Sequence, residues 1–247
     1  MKLGISSYTF GWAIGVPGFE PRHPLDEHGL LDFALKHDIK VLQIGDNLPL
    51  HTFDAARLKR FAQRAKQDQV QLEVGARRLN LERVALYAEI ARRLNAQLLR
   101  FVVDDADYHP EPKAISTILR ESLPLLDGLT LGLENHDRFS AETLRGIIES
   151  AKSERIGICL DTANSLGAGE GFEHVLRTLA PLTVNLHIKD FQIERLPHKM
   201  GFTITGRPAG SGFLKVPELL KELAPFKRCS TAILELWTPP EPQLHET

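Results

Sequence analysis

Four short segments carry the side chains best suited to chemistry. They are Gly132-Leu-Glu134-Asn-His136, Ile158-Cys-Leu-Asp161-Thr162, Asn185-Leu-His187-Ile-Lys189-Asp190 and Ile233-Leu-Glu235-Leu-Trp237. Each is an apolar run that ends in a ligand-type residue: Glu134, Asp161, His187 and Glu235. Their separations are 27, 26 and 48 residues. The first two match one strand–helix repeat of about 30 residues; the third is one repeat plus an insertion. Any one of these residues alone suits a helix cap, a turn or a salt bridge. Four in succession, each at the same place in its repeat, describe a metal site. Three carboxylates and one imidazole form a hard, mostly oxygen donor set that suits Mn²⁺, Mg²⁺ or Co²⁺ and can hold Zn²⁺. Three clustered carboxylates without a cation repel one another and their pKa values rise, a conflict that a divalent ion removes.

Regular elements must bring these residues together. Strands are expected at Leu3–Ser6, Val41–Ile44, Leu72–Gly75, Leu98–Val103, Thr130–Leu133, Ile156–Leu160, Thr183–Ile188 and Ala232–Leu236. Helical periodicity separates them. One helix opens at Pro24 and runs to about His37; the next carries Leu58, Phe61, Ala62 and Ala65, with Thr52 as its N-cap. Asn80 and Ser140 cap later helices, Pro112 opens another, and Phe172–Leu179 and Val216–Leu223 close the series. Strands alternating with helices give a parallel sheet, and eight such units are the count of a (β/α)₈ TIM barrel spanning residues 1–247 as one domain. A doubly wound sheet would announce a glycine-rich phosphate loop after its first strand; Gly15 and Gly18 match no such fingerprint.

Two irregularities stand out. Phe191–Arg195 and Phe202–Gly206 flank Leu196–Gly201 and read as a hairpin over the barrel mouth, inserted after the seventh strand. After Trp237 only ten residues remain, with prolines at 239, 240 and 242, so an eighth outer helix is expected to be missing or truncated. Either the chain is shortened or the seam between the first and seventh helices is sealed otherwise, which allows for a homo-oligomer.

Composition excludes several classes. The chain has 247 residues, 43% hydrophobic and 25% charged, with 30 Lys+Arg against 32 Asp+Glu. Those are the proportions of a soluble globular protein, without the basic surface that nucleic acid or membrane binding draws on. No apolar run approaches the roughly 18 residues of a membrane span, and the N-terminus leads straight into a strand, not a signal peptide. Two cysteines, Cys159 and Cys229, exclude a disulfide framework and fit a cytoplasmic setting.

Gly-Leu-Glu134-Asn-His136, Leu160-Asp161-Thr162, Leu186-His187-Ile-Lys189-Asp190 and Leu234-Glu235 resemble the signature strands of the sugar isomerase/epimerase superfamily of xylose-isomerase-like TIM barrels. The resemblance implies a divalent metal held by Glu134, Asp161, His187 and Glu235. It also implies that Glu134 and Glu235 are the acid/base pair on either face of a small carbohydrate. More narrowly, Gly4-Ile-Ser-Ser-Tyr8, Glu134-Asn-His-Asp-Arg-Phe139, Gly206-Arg-Pro-Ala-Gly210 and Glu235-Leu-Trp-Thr-Pro-Pro240 resemble a subgroup that includes 3-oxo-isoapionate decarboxylases. One position departs from the pattern: many epimerases of the superfamily have a histidine three residues after the sixth-strand aspartate, where this chain has Asn164.

Such a centre polarises a substrate carbonyl and stabilises an enediolate. A carboxylate can then move a proton, which isomerises or epimerises a keto-sugar. Loss of CO₂ from a 3-oxo sugar acid draws on the same stabilisation, so the pocket around the metal must separate the two reactions. His136, Asn164, Lys189, Arg207, Tyr8 and Trp237 are the candidate substrate-binding residues, Arg207 as a clamp for an anionic group. Plainer readings stand beside them: Lys189 paired with Asp190, Arg207 solvated, Tyr8 and Trp237 simply buried. Glu73 and Arg100 are expected to pair inside the barrel, and Cys159 to be a packing residue. A phosphodiesterase of the endonuclease IV kind needs more histidine ligands than the second and third strand ends supply. A sugar-binding barrel without chemistry is opposed by the complete ligand set.

Overall fold

The structure is a computed structural model that describes residues 1–239. Its barrel strands are β1 (Lys2–Ser6), β2 (Val41–Ile44), β3 (Gln71–Ala76), β4 (Leu98–Phe101), β5 (Thr130–Glu134), β6 (Ile156–Asp161) and β7 (Thr183–Ile188); β8 (Asp190–Arg195) and β9 (Phe202–Arg207) form a hairpin, and β10 (Thr231–Leu234) completes the barrel. The eight barrel strands are parallel and close in the order β1-β10-β7-β6-β5-β4-β3-β2. Covered on both faces, β2, β4, β6 and β7 are buried along their whole length, as expected of runs such as Val41-Leu-Gln-Ile44.

Helices α1 (Gly11–Ile14), α2 (Glu27–Lys36), α3 (Ala55–Gln67), α4 (Leu81–Arg93), α5 (Pro112–Ser122), α6 (Ala141–Ser150), α7 (Phe172–Leu179) and α8 (Val216–Leu223) connect them. Seven of them, α2 to α8, lie between successive barrel strands, while α1 is a single turn in the loop after β1. Among the described residues no helix follows β10; the prolines at 240 and 242 lie outside the described residues. Nor is any described helix long and apolar enough to cross a membrane.

Local chemistry sets several boundaries differently from the sequence pattern. Helix α2 starts at Glu27 because Asp26, not Pro24, caps it, accepting from His28 N and Gly29 N. Helix α3 is capped by Asp54, which accepts from Arg57 N, while the Thr52 hydroxyl is spent on Pro49 O in a preceding 3₁₀ turn. Asn80 and Ser140 cap α4 and α6 as anticipated.

The barrel interior is layered. In the lower layer Glu73 accepts from Thr231 Oγ1 (2.8 Å), Gln43 Nε2 (3.0 Å) and Asn185 Nδ2 (3.3 Å). Glu73 does not pair with Arg100. Register places Arg100 level with Gly75 on β3 and Gly132 on β5, one layer above Glu73. Both flanking positions lack side chains at that level, and a Cβ on Gly75 would stand 3.4 Å from Arg100 Cδ. The long guanidinium therefore runs up the interior to the mouth.

The hairpin is anchored at its base. Asp190 accepts from the backbone amides of Phe191, Gly210, Gly212 and Leu214, and so organises the return loop. Trp237 Nε1 donates to Asp190 O (3.2 Å), and its ring packs so closely on Gly206 that a Cβ there would lie 2.7 Å away. A cavity of about 1180 Å³ lies between the hairpin, α7 and α8, lined by Phe172, Leu176, Phe191 and Phe213; none of the four candidate ligands lines it.

Candidate active site

Glu134 ends β5, Asp161 ends β6, His187 is one residue from the end of β7, and Glu235 follows β10. Parallel pairing brings these four adjacent strand ends to one level: Asp161 is in register with His187, and His187 with Ile233, two residues before Glu235. All four side chains are buried. His187 Nδ1 lies 3.5 Å from Glu235 Oε2, 3.6 Å from Glu134 Oε1 and 3.9 Å from Asp161 Oδ2.

Each carboxylate is aimed by a partner on one oxygen. Asp161 Oδ1 caps the following turn, accepting from Ala163 N (2.8 Å) and Asn164 N (2.9 Å), which turns Oδ2 inward. Glu235 Oε1 accepts from Ser6 Oγ (2.8 Å). Glu134 Oε1 accepts from Asn164 Nδ2 (2.9 Å), while Oε2 meets Arg100 Nε. Asn135, buried beside them, ties β5 to β6 by donating to Asp161 O (3.0 Å) and Ser165 Oγ (2.9 Å) and accepting from Asp161 N (2.6 Å).

His187 Nε2 is 2.7 Å from Gln43 Oε1. The Gln43 amide orientation is set from behind, since its Nε2 donates to Glu73 and to Asn185 Oδ1. Gln43 Oε1 can therefore only accept, so Nε2 of His187 carries the proton and Nδ1 presents its lone pair to the carboxylates. A backing hydrogen bond of this kind orients a metal-ligating imidazole.

The donor atoms pass a direct test of fit to a cation. Asp161 Oδ2, His187 Nδ1 and Glu235 Oε2 are fully buried; the two oxygens meet only the Lys189 ammonium, and Nδ1 has no hydrogen-bond partner among the described residues. Those three atoms all lie within 4.8 Å of one another. Buried polar atoms left without a hydrogen bond are costly unless something else satisfies them, and hard oxygens around one imidazole suit a divalent ion.

The electrostatics agree. Burial alone would raise the Glu134 pKa, but Arg100 and His187 outweigh it and hold the carboxyl well below its usual range. Burial is likewise outweighed at Glu235, chiefly by His187 and Lys189. At His187, burial opposes charge, yet Glu235 and Glu134 pull the pKa upward, a pull that a proton or a metal cation satisfies. Lys189 Nζ sits 2.8 Å from Asp161 Oδ2 and 3.1 Å from Glu235 Oε2. Burial disfavours its charge, but Asp161 and Glu235 more than restore it, so its pKa is raised and it stays an ammonium ion.

The remaining sequence candidates fall into two groups. Asn164 and Lys189 join the cluster, and Lys189 pairs with Asp161 and Glu235 rather than Asp190. Tyr8 stands nearby, its hydroxyl donating to Asp46 Oδ2 (2.8 Å) and its ring 5.8 Å from the Arg100 guanidinium. His136 pairs with its neighbour Asp137 (2.6 Å). Arg207 lies on the polar face of the hairpin, with Nε on Gln192 Oε1 (2.8 Å) and Nη2 3.7 Å from Glu194, and Trp237 packs at the hairpin base. Neither contacts the cluster, because strand alternation in β9 turns Arg207 toward Gln192 and Glu194. Cys159 is buried in the lower layer with Sγ on Asn185 Oδ1 (3.1 Å), and burial raises its pKa well above the usual thiol value. It fits the packing role.

Sequence reasoning missed Asp46, Arg77, Gln43 and Ser6, and it gave Arg100 the wrong partner, Glu73 in place of Asp46 and Glu134. The signal for two of them was available: Asp46 and Arg77 follow β2 and β3, the same strand-end position that singles out the four ligands.

The profile of the family described as "Xylose isomerase-like TIM barrel" matches residues 14–247. A 3-oxo-isoapionate decarboxylase of Pectobacterium atrosepticum is 31% identical over 251 residues, covering 100% of this chain and 90% of that protein. Among solved structures, a xylose isomerase-like TIM barrel protein from Mycobacterium smegmatis in complex with magnesium superposes with a TM-score of 0.74 at 12% identity, covering 98% of this chain and 92% of that one. D-psicose 3-epimerase with D-tagatose from Clostridium cellulolyticum H10 superposes with a TM-score of 0.72 at 15% identity, covering 100% and 88%. The two solved structures speak for the fold.

Proposed function

The chain belongs to the xylose isomerase-like TIM barrel family, and on that premise we propose a divalent-metal-dependent enzyme that decarboxylates a small 3-oxo sugar acid through its enediolate. A divalent cation held by Glu134, Asp161, His187 and Glu235 supplies positive charge for the enolate oxygen. The protein's own groups do the rest.

The observation that carries this choice is the unequal state of the two glutamates. Both oxygens of Glu134 are engaged, one by Asn164 and one by the buried Arg100. A carboxylate so paired is a weak base. Glu235 has one oxygen on the Ser6 hydroxyl and the other 3.1 Å from the Lys189 ammonium, a partner that, unlike a guanidinium, can give up a proton. One carboxylate, not two, is thus paired with a group that can pass a proton on toward a substrate carbon. Decarboxylation needs only one. The electron pair of the breaking C–C bond moves into the neighbouring 3-oxo group, CO₂ departs, and the carbon left behind takes one proton. The Lys189 ammonium, 3.1 Å from Glu235 Oε2, is the proton source, and Glu235, with Ser6 at its back, relays it. Lys189 enters charged, holds a substrate oxygen, and regains its proton from solvent after CO₂ has left.

The second reading, isomerisation or epimerisation of a neutral keto-sugar, has one observation in its favour. Glu134 and Glu235 lie at nearly equal distances from His187 Nδ1, 3.6 and 3.5 Å, and so flank one centre. A phosphodiesterase is not favoured, since the cluster gathers one imidazole among the described residues.

Metal analysis followed by a substrate panel in deuterated water tests the proposal. The expected result is CO₂ release from a 3-oxo sugar acid that depends on added divalent cation and leaves deuterium at the adjacent carbon. Deuterium uptake by ketoses without CO₂ transfers the assignment to the second reading. A protein that binds no metal and is indifferent to E134Q sinks both.

A further inference from the structure

Opposite the four donors, the mouth carries a second charged assembly whose outer members, Tyr8, Asp46 and Arg77, the reaction above does not use. Asp46 accepts from Tyr8 Oη (2.8 Å), Arg77 Nε (2.8 Å) and Arg100 Nη1 (2.6 Å). Arg100 continues to Glu134. The result is a chain of ion pairs, Arg77–Asp46–Arg100–Glu134, running from solvent to the donor cluster. Side-chain exposure falls along it from 36% at Arg77 to 14% at Asp46, 4% at Arg100 and 1% at Glu134. Arg77 is the end that a substrate can reach.

Arg77 is held at Nε, and its two Nη nitrogens have no partner among the described residues. The other arginines of the neighbouring loops are occupied. Arg138 gives Nε and Nη2 to Asp104 and also reaches Pro110 O; Arg78 faces Asp105 and Asp107. The Asp137 carboxyl, lowered first by His136, is also lowered by Arg77, so the Arg77 guanidinium stands within electrostatic reach of the loop after β5. A guanidinium fixed at Nε with its Nη pair free is a preformed fork for a planar anion.

The charge balance of the mouth points the same way. The carboxylates of Asp46, Glu134, Asp161 and Glu235 face Arg77, Arg100 and Lys189. With a divalent cation in the cluster the assembly is net positive, which favours an anionic substrate over a neutral sugar.

We infer that Arg77 binds the carboxylate of the substrate, gripping it through both Nη nitrogens, and that it selects sugar acids over neutral sugars of the same length. This rests on the sugar-acid reading of the preceding section. It places at β3 the anion clamp that the sequence suggested at Arg207.

Calorimetric titration with erythronate, a four-carbon sugar acid, and erythritol, its neutral counterpart, tests the inference on magnesium-loaded protein. R77M should weaken erythronate binding about 10- to 100-fold, the range for losing hydrogen bonds to a charged group. Erythritol binding should be the same in both proteins, and on a turned-over sugar acid the rise in KM should exceed any change in kcat. R77K keeps a charge beside Asp46 without the fork and should also lose most of the preference, which covers the case in which R77M does not fold. Equal erythronate binding by wild type and either variant overturns the inference. So does a parallel loss of erythronate and erythritol, or a wild type without preference between them. If Arg77 behaves as stated while metal removal leaves turnover intact, the reading of the metal centre falls and the anion site stands; the reverse pattern removes Arg77 alone.

Discussion

The ends of β5, β6, β7 and β10 gather three carboxylates around one imidazole with a single ammonium among them, whereas the ends of β1 to β4 hold a network in which cations and carboxylates alternate. In the first half, Asp161 Oδ2 and Glu235 Oε2 share the one Lys189 ammonium, and His187 Nδ1 has no hydrogen bond among the described residues. In the second half, Asp46 takes three donors and Arg100 spans two carboxylates, with Arg77 contributing free N–H groups at the rim. Like charges crowded in a buried site cost stability and are kept where something binds. Saturated buried ion pairs brace a structure, and breaking one leaves a bare charge. The two halves should therefore answer mutation in opposite ways.

The largest effect is expected in the donor half. Chelation or D161N should lower turnover by about 10³-fold while the thermal midpoint measured without metal changes little, since one of three mutually repelling carboxylates has gone and Lys189 keeps Glu235 as its partner. A fall in midpoint without loss of turnover would make the cluster a structural feature and erase the contrast. In the other half R100M should leave Glu134 buried without its cation and Asp46 with Arg77 alone, at a cost of about 3–5 kcal/mol, read by denaturant unfolding. Adding E134Q to R100M should recover part of that loss, because the charge that lacked a partner is removed. A fully stable R100M would show that the second half is no brace.

Gln43 joins the halves, lying on β2 yet orienting a ligand on β7. Q43L should loosen metal binding by about 10- to 100-fold with little change in fold, because the imidazole loses the acceptor that holds its Nε2 proton. Unchanged metal affinity would mean that packing alone orients His187.

How much of this was legible depended on how local the cause was. The four donors were readable because each ends an apolar run at a spacing that a repeat imposes, and because a strand end faces the mouth whatever its neighbours are. The hairpin was readable because Phe191–Arg195 and Phe202–Gly206 carry their own pattern. Arg100 was visibly an inward residue of β4, but its partner depended on register, which sets it beside Gly75 and Gly132 and one layer above Glu73. Thr52 looked like the cap of α3 until Leu50–Thr52 formed a turn of its own and Asp54 took the position. Arg207 belonged to a loop-rich stretch near the mouth, and only the alternation of β9 turned it toward Gln192. A carboxylate at a strand end announces itself, whereas the cation that neutralises it across the barrel does not.

The smallest effect concerns the layer beneath both halves. Glu73 is buried among neutral donors, Thr231, Gln43 and Asn185. Burial pushes its pKa up, and those hydrogen bonds offset only part of the rise. A carboxyl whose folded pKa exceeds its unfolded value stabilises the fold below the unfolded pKa and loses that contribution as pH climbs through the folded pKa. Wild type should therefore lose ground to E73Q as pH rises from about 4 to about 8, with E73Q at least as stable at neutral pH and the two within about 1 kcal/mol at the acid end. Denaturant unfolding of both proteins across that range gives the difference directly. A difference that stays flat with pH would mean that Glu73 is ionised in the folded barrel, so that its hydrogen bonds carry a full charge and the polar layer under the metal ligands is as electrostatically committed as the arginine half above it.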